Sequence, residues 1–341
     1  MSAVMEEREK TNRPTGKMQA VVQEGTGSAD VLQLREIDIP QIADDRVLVK
    51  VHAASVNAAD YHTIHGGWLI KVIGKLLRQS RLDPIRGVDV AGVVVAVGKN
   101  VTGLRPGDEV FGMGKGTWAE YATGSERGLL PKPARLSFVE AGAVGVAGIT
   151  ALQGLRDQGG LRAGQRALVY GAGGGVGTFA VQIAKALGAH VTAVTGPRNI
   201  DVVRTLGADE VVDYTKEDLV KRGHRYDVIL DVAATRSFRD LRRMLAPGGM
   251  LVGTGAAKKG GLPGIVARLV AMIFRSRVLH QRVGTFIAST KRDDLAFLGE
   301  LIDAGKVRPV IERTYPLREA REAVRYTITG QARAKVVITV S

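Results

Sequence analysis

Gly164-Gln-Arg-Ala-Leu-Val-Tyr-Gly-Ala-Gly-Gly-Gly-Val-Gly177, running on into Thr178-Phe-Ala-Val-Gln-Ile-Ala-Lys185, is the stretch on which the fold turns. Leu168 and Val169 read as a short buried strand, and the glycines as a turn with no side chains in the way. Val176, Ala180, Ile183, Ala184 and Leu187 then recur at helical spacing. Strand, glycine turn and helix together form a cradle for a dinucleotide pyrophosphate, which must come close to the backbone while sitting on the positive end of the helix. A Cβ at Gly174 or Gly175 would block that approach. About twenty residues on, His190-Val-Thr-Ala-Val-Thr195 reads as the second strand of a Rossmann unit.

The charge at the end of that second strand bears on the cofactor. A site for NAD places Asp or Glu there to bind the ribose 2′-hydroxyl, whereas a 2′-phosphate needs that carboxylate gone and a cation supplied. Thr195-Gly196-Pro197-Arg198-Asn199 has no acid before Asp201. The expected cofactor is therefore NADPH, with Arg198 able to grip the phosphate bidentately.

These residues resemble a family. Gly164–Lys185 matches the signature of the zinc-free quinone oxidoreductases (ζ-crystallin-like) of the medium-chain dehydrogenase/reductase superfamily. The resemblance continues through Val56-Asn57-Ala-Ala-Asp60, Gly87-Val-Asp-Val-Ala-Gly92, Gly107-Asp108-Glu-Val110, Trp118-Ala-Glu-Tyr121, Leu206-Gly-Ala-Asp209, Asp213-Tyr214 and Ala332-Arg-Ala-Lys335. It implies an α/β fold: a Rossmann doubly wound parallel sheet plus a GroES-like antiparallel β domain. It also implies a homodimer, and it puts Gly173, Gly174, Gly175, Val176, Thr195, Gly196, Arg198, Asn199, Tyr214 and Lys335 at the cofactor, Tyr214 closing the adenosine side.

The pattern of apolar residues supports this division. A chain of 341 residues exceeds the usual single-core size, so two domains are expected. Residues 1–16 lack an apolar core and read as a disordered tail rather than a signal peptide. Short β-rich runs such as Val47–Val51 and Val93–Val97 fill 17–140, which by resemblance is the GroES-like substrate domain. Strands alternate with helices over 141–306, the Rossmann NADPH-binding domain, with helices expected at 175–188, 200–206 and 237–245. The tail, 307–341, returns to β-rich alternation from Ile311 to Val340 and by resemblance rejoins the first domain.

Zinc-bearing relatives carry a Cys near Asn57, a His-Glu pair near Val88-Asp89 and a four-Cys lobe between Phe111 and Trp118; this chain has none of them and no cysteine at all. No metal is expected, since Zn²⁺ needs about four ligands at defined spacing and only Asp60, His62 and His65 cluster. Without a Lewis acid, reduction of an already electrophilic quinone or enone is the feasible chemistry. Asn57, Tyr61 and Thr150 are the candidates to hold the developing enolate at the domain junction, with Tyr61 or solvent supplying the proton. Acyl-carrier enoyl reductases of the superfamily carry a Tyr where this chain has Trp68, which disfavours a fatty-acyl substrate. Asn57 and Asp60 could equally brace a turn.

The net charge of +14 draws part of its excess from the apolar-basic segments 68–78 and 258–282. Three readings stay open for them: solvated helices flanking the cleft, a patch giving weak contact with an anionic membrane surface, and nucleic-acid binding, for which aromatics are few. The apolar runs near 262–274 fall short of the roughly 20 residues that span a bilayer, and a cytoplasmic setting, with or without membrane-peripheral contact, is expected. The rival to an enzyme is an NADPH-binding protein acting through nucleic acid or membrane.

Overall fold

A computed structural model describes residues 14–65, 84–254, 282–329 and 332–341. They divide into two compact units, the first within Met1–Val146, Thr290–Ala296 and Ile311–Ser341, the second within Ala147–Ser289 and Phe297–Val310. Thr290–Ala296, expected in the second domain, belongs with the first. The Thr290 hydroxyl reaches the Met113 sulfur at 3.5 Å and the Arg292 guanidinium donates to the Glu126 carbonyl.

In the first unit β1 (Lys17–Gln23) and β2 (Leu32–Asp38) pair antiparallel. A larger sheet is built on β3 (Val47–Val56), β4 (Asp89–Val97), β5 (Glu109–Met113), β6 (Tyr121–Gly124) and β7 (Leu129–Pro131). β3 pairs antiparallel with both β4 and β6. Its sequence VLVKVHAASV is buried along almost its whole length, as expected of a strand covered on both faces. Helix α1 (Ala58–His65) follows β3 almost at once, and α2 (Phe138–Ala141) is opened by a capping box between Ser137 and Glu140. The core of this unit gathers Val49, Val51, Val90, Val110 and the fully buried Trp118.

Helix α3 (Gly145–Leu152) leads into the second unit. There β8 (Arg166–Tyr170), β9 (His190–Thr195), β10 (Glu210–Asp213), β11 (Tyr226–Asp231), β12 (Leu245–Gly253) and β13 (Arg282–Thr285) run parallel. Among the described residues their order is β10-β9-β8-β11-β12-β13. Helices α4 (Gly175–Ala186), α5 (Ile200–Thr205) and α6 (Phe238–Arg243) connect them. The chain adds strands outward on one side of β8 and then returns to its other side with β11. Between the two lies the switch point at which doubly wound sheets take their ligands. The expected fold class is thus the one observed.

After α7 (Arg292–Asp303), β14 (Ile311–Pro316) and β15 (Lys335–Thr339) extend the larger sheet of the first unit, β15 pairing antiparallel with β3. The expectation of β-rich alternation from Ile311 to Val340 holds at its two ends and is corrected between them. Ala320, Ala323 and Val324 are buried at helical spacing, and Ala320–Ile328 forms α8. The helix expected at 237–245 also ends early. Leu245 already pairs with Tyr226 as the first residue of β12. Arg282, placed at the end of a basic segment of helix-compatible spacing, opens strand β13 instead. The rest of that segment, 258–281, with the segment 68–78, including Trp68, and residues 1–13 of the expected tail, lies outside the described residues.

Candidate active site

The glycine turn stands at the switch point. The Gly171 N–H donates to the Val194 carbonyl, and the N–H groups of Val232 and Ala233 at the end of β11 donate to the Tyr170 carbonyl. Gly171 has φ +92°, which glycine adopts without the penalty a Cβ would bring. A Cβ on Gly173 would come within 2.3 Å of Asn199 Nδ2 and 2.6 Å of Thr195 Oγ1, and one on Gly177 within 2.2 Å of the Gly171 carbonyl oxygen. Gly174 differs. A Cβ there would meet only that carbonyl, at 3.5 Å, so the space it would enter holds no protein. Gly174 is also the N-cap of α4, which no side chain caps. The first N–H groups of the helix, in the turn containing Gly175 and Val176, are left for an anion at the positive end of the dipole. The residues present fit a dinucleotide pyrophosphate.

Thr195 ends β9, and Gly196 caps a tight turn over Pro197–Asn199. Tyr214 is 54% exposed, and its ring lies 3.4 Å from where a Gly196 Cβ would stand. The Tyr214 N–H donates to the Thr195 carbonyl. Thr195 and Asn199 are therefore neighbours of Gly173, Tyr214 lies beside Thr195 and Gly196, and Arg198 is exposed on the same turn. The nearest carboxylate in register, Asp213 opposite Thr195, accepts instead from the N–H and hydroxyl of Thr215 at 2.9 and 2.7 Å. Those contacts hold its pKa below the usual carboxylate range.

In the first unit the register of three strands builds a buried polar cluster. Val336 faces Val56 across β15 and β3, and Ala54 faces Val90 across β3 and β4. One step further along, Lys335 comes opposite Asn57 and Asp89 opposite Ser55. The Lys335 ammonium donates to Asn57 Oδ1 at 2.6 Å and Asp89 Oδ2 at 3.2 Å. Asp89 Oδ2 also accepts from the Ser55 hydroxyl at 2.5 Å and Asn57 Nδ2 at 3.0 Å, while its Oδ1 accepts the Val146 N–H at 2.6 Å. Lys335 is 2% exposed and Asp89 0%. The expectation that Lys335 serves the cofactor meets a different arrangement, because its charge is taken up inside the first unit by Asp89 and Asn57.

Tyr61, on α1, is partly buried, its ring 4.1 Å from that of His65 and edge-on to His62 at 5.5 Å between centroids. His62 and His65 thus frame a tyrosine. Burial, with the neighbouring His65, pushes the His62 pKa down. Thr150 is partly buried on α3 in the second unit. Among the described residues no three His, Asp or Glu side chains gather as a metal site. Asp89, Ser55 and the Lys335–Asn57 link are what the sequence analysis misses as site features. Their signal was a lone acid opening the apolar run Asp89-Val-Ala-Gly-Val and a lone lysine opening Lys335-Val-Val-Ile.

Asp60 accepts the Asn57 N–H at 2.7 Å, and its pKa is pushed up to about 7. Burial is the main cause and the Asp89 charge adds to it, against the pull of that N–H, Lys335 and Arg86. A carboxyl whose folded pKa is raised binds more protons folded than unfolded. Its contribution to stability therefore declines as pH rises from about 4 to about 7, by roughly 4 kcal/mol at the limit. Asp60→Asn keeps an acceptor for the Asn57 N–H but cannot ionise. The variant should melt above the parent at pH 8 and close to it at pH 4.5, as thermal scans at both values would show.

The comparisons with known proteins agree with this architecture. The alcohol dehydrogenase GroES-like domain matches residues 43–134 and the zinc-binding dehydrogenase domain matches 206–338. The chain is 32% identical to the chloroplastic quinone-oxidoreductase QR1 of Triphysaria versicolor, over 94% of this chain and 98% of that protein. It is 33% identical to the chloroplastic NADPH-dependent alkenal/one oxidoreductase of Arabidopsis thaliana, over 94% and 79%. The solved quinone oxidoreductase of Coxiella burnetii superposes with a TM-score of 0.83 at 29% identity, covering 96% of this chain and 100% of that one. No described helix is long and apolar enough to cross a membrane. The dinucleotide cradle, the paired units and these relatives together make the chain a nicotinamide-dependent oxidoreductase of the quinone and enone reductase type rather than a binding protein, and it belongs to the quinone oxidoreductase family of the medium-chain dehydrogenase/reductases.

Proposed function

We propose that the chain is an NADPH-dependent, zinc-independent reductase of quinones or α,β-unsaturated carbonyls. The observation that carries the cofactor choice is the turn after β9, with Arg198 exposed and Asp213 drawn to Thr215. A carboxylate facing that turn would repel a 2′-phosphate, and a free guanidinium attracts one. The name of the Arabidopsis relative, an NADPH-dependent enzyme, points the same way.

The cofactor, when bound, supplies hydride to the β-carbon of an enone or to a quinone ring. The chain's own residues do the rest. Gly174 and the open end of α4 hold the pyrophosphate, with Arg198, Asn199 and Tyr214 around the adenosine phosphate. The Asn57 amide steadies the oxygen on which negative charge gathers, and Tyr61 or solvent returns the proton. Zinc independence is supported by the donor chemistry. The chain has no thiolate, and Asp89 and the Asn57 amide oxygen are already engaged by Lys335. The homodimer and the cytoplasmic setting belong to the same reading and rest on resemblance and composition.

The test is turnover of 1,4-benzoquinone and of but-3-en-2-one with each nicotinamide cofactor. NADPH should bind more tightly than NADH, and Arg198→Ala should narrow the gap by about 1.5–3 kcal/mol, the worth of a charge-assisted hydrogen bond. Equal dissociation constants in the parent protein would sink the cofactor choice. In the same preparation, activity should survive chelation with less than a tenth of an equivalent of zinc present, whereas one tightly held zinc per chain, with activity lost on its removal, would overturn the metal assignment.

A further inference from the structure

The structure explains how the Asn57 side chain is oriented. An amide can be turned either way about its last bond, and the choice decides whether oxygen or nitrogen faces a given neighbour. Here charge removes the choice. Lys335, 2.6 Å from one end of the amide, has only hydrogens to give, so that end must be the oxygen. Asp89, 3.0 Å from the other end, is a carboxylate held beside an ammonium and has only lone pairs to offer, so that end must be nitrogen. The Asn57 backbone is pinned as well, by Asp60 at 2.7 Å. One Nδ2 hydrogen is used on Asp89, and the second is left as the single donor the side chain can present.

We propose that Lys335, through its buried pair with Asp89, is a positioning residue that locks the Asn57 amide with its free N–H toward the substrate oxygen. This rests on the catalytic reading of Asn57 given above. An ordinary ion pair between strands would hold β15 to β4 and leave Asn57 to its own devices. The short Lys335–Asn57 contact ties the ion pair to the reacting end instead. It also accounts for a lysine buried where a hydrophobic residue would fit more cheaply, since a buried ion pair is often no more stabilising than apolar replacements of similar volume.

The experiment compares four proteins, each a full chain, in steady-state turnover of but-3-en-2-one and in cofactor titration. They are the parent, Asn57→Ala, the charge-balanced Lys335→Met/Asp89→Asn pair, and that pair combined with Asn57→Ala. Replacing both charges together avoids leaving either one buried alone, so the fold is expected to persist. Asn57→Ala should lower kcat about 10²-fold, as loss of an oxyanion donor does. The charge-balanced pair should lower kcat by a similar factor with the cofactor dissociation constant unchanged, and adding Asn57→Ala to it should cost nothing further. Losses that multiply, a parental kcat in the charge-balanced pair, or weakened cofactor binding in that pair would each overturn the proposal. A parental kcat in Asn57→Ala alone would remove the underlying reading and the proposal with it, a result distinct from the other three. Should the charge-balanced pair not fold, a high-resolution crystal structure of the parent decides: Lys335 Nζ within 3 Å of Asn57 Oδ1 upholds the lock, and an ammonium turned away from it refutes the lock.

Discussion

Asp89→Ala should lower the free energy of unfolding by about 3–5 kcal/mol, the usual result of stranding one member of a buried ion pair. The carboxylate lost is the acceptor for Lys335, Ser55, Asn57 and the Val146 N–H. None of these can turn to water, because Asp89 is wholly buried and Lys335 nearly so. Denaturant unfolding at pH 7 measures the loss, and a deficit under 1 kcal/mol would mean the pair is wetter than its burial indicates.

Two alanine substitutions in the glycine turn should fail in opposite ways. A Cβ on Gly177 would lie 2.2 Å from the Gly171 carbonyl oxygen and 2.7 Å from the Ala172 Cα. Both are backbone atoms, so α4 would have to move away from β8. Overpacking of this kind costs about 1–3 kcal/mol or more, and Gly177→Ala should melt lower and bind cofactor poorly. Gly174 has extended backbone angles, φ −89° and ψ 175°, which any residue adopts, and nothing nearer than 3.5 Å to its missing Cβ. Gly174→Ala should melt within a degree or two of the parent yet lose dinucleotide affinity at least tenfold, because the methyl group would enter the space left for the pyrophosphate. Parallel melting scans and fluorescence titrations separate the two outcomes. Unchanged affinity in Gly174→Ala would place the phosphates elsewhere.

The dinucleotide half of the site was legible because its parts are close in sequence. A glycine turn, the strand before it, the helix after it and the turn at Gly196–Asn199 all lie within about 35 residues of one another, and each is specified by local backbone demands. Other local signals were present but outweighed. The spacing of Ala320, Ala323 and Val324 is helical, yet the β-rich residues on either side of it drew the whole tail into one expectation. Leu245 was counted with the helix before it, although Pro247-Gly248, with Gly248 at φ +74°, belongs to an irregular strand whose register shifts between Tyr226 and Val228.

By itself the sequence determined that this chain has a parallel dinucleotide-binding sheet and a β-rich partner unit, and that the end of β9 carries a cation where an acid would select NAD. Periodicity and glycine placement are properties of neighbouring residues, so they survive in one dimension. Only the tertiary structure decided what Lys335 does. Its partners stand 246 and 278 positions away along the chain, and what joins them is strand register, in which one residue of slip would turn each side chain to the opposite face. A lysine that by resemblance belongs at the cofactor becomes, once β15 lies beside β3 and β3 beside β4, the buried counter-charge of Asp89 and the group that faces the oxygen of Asn57.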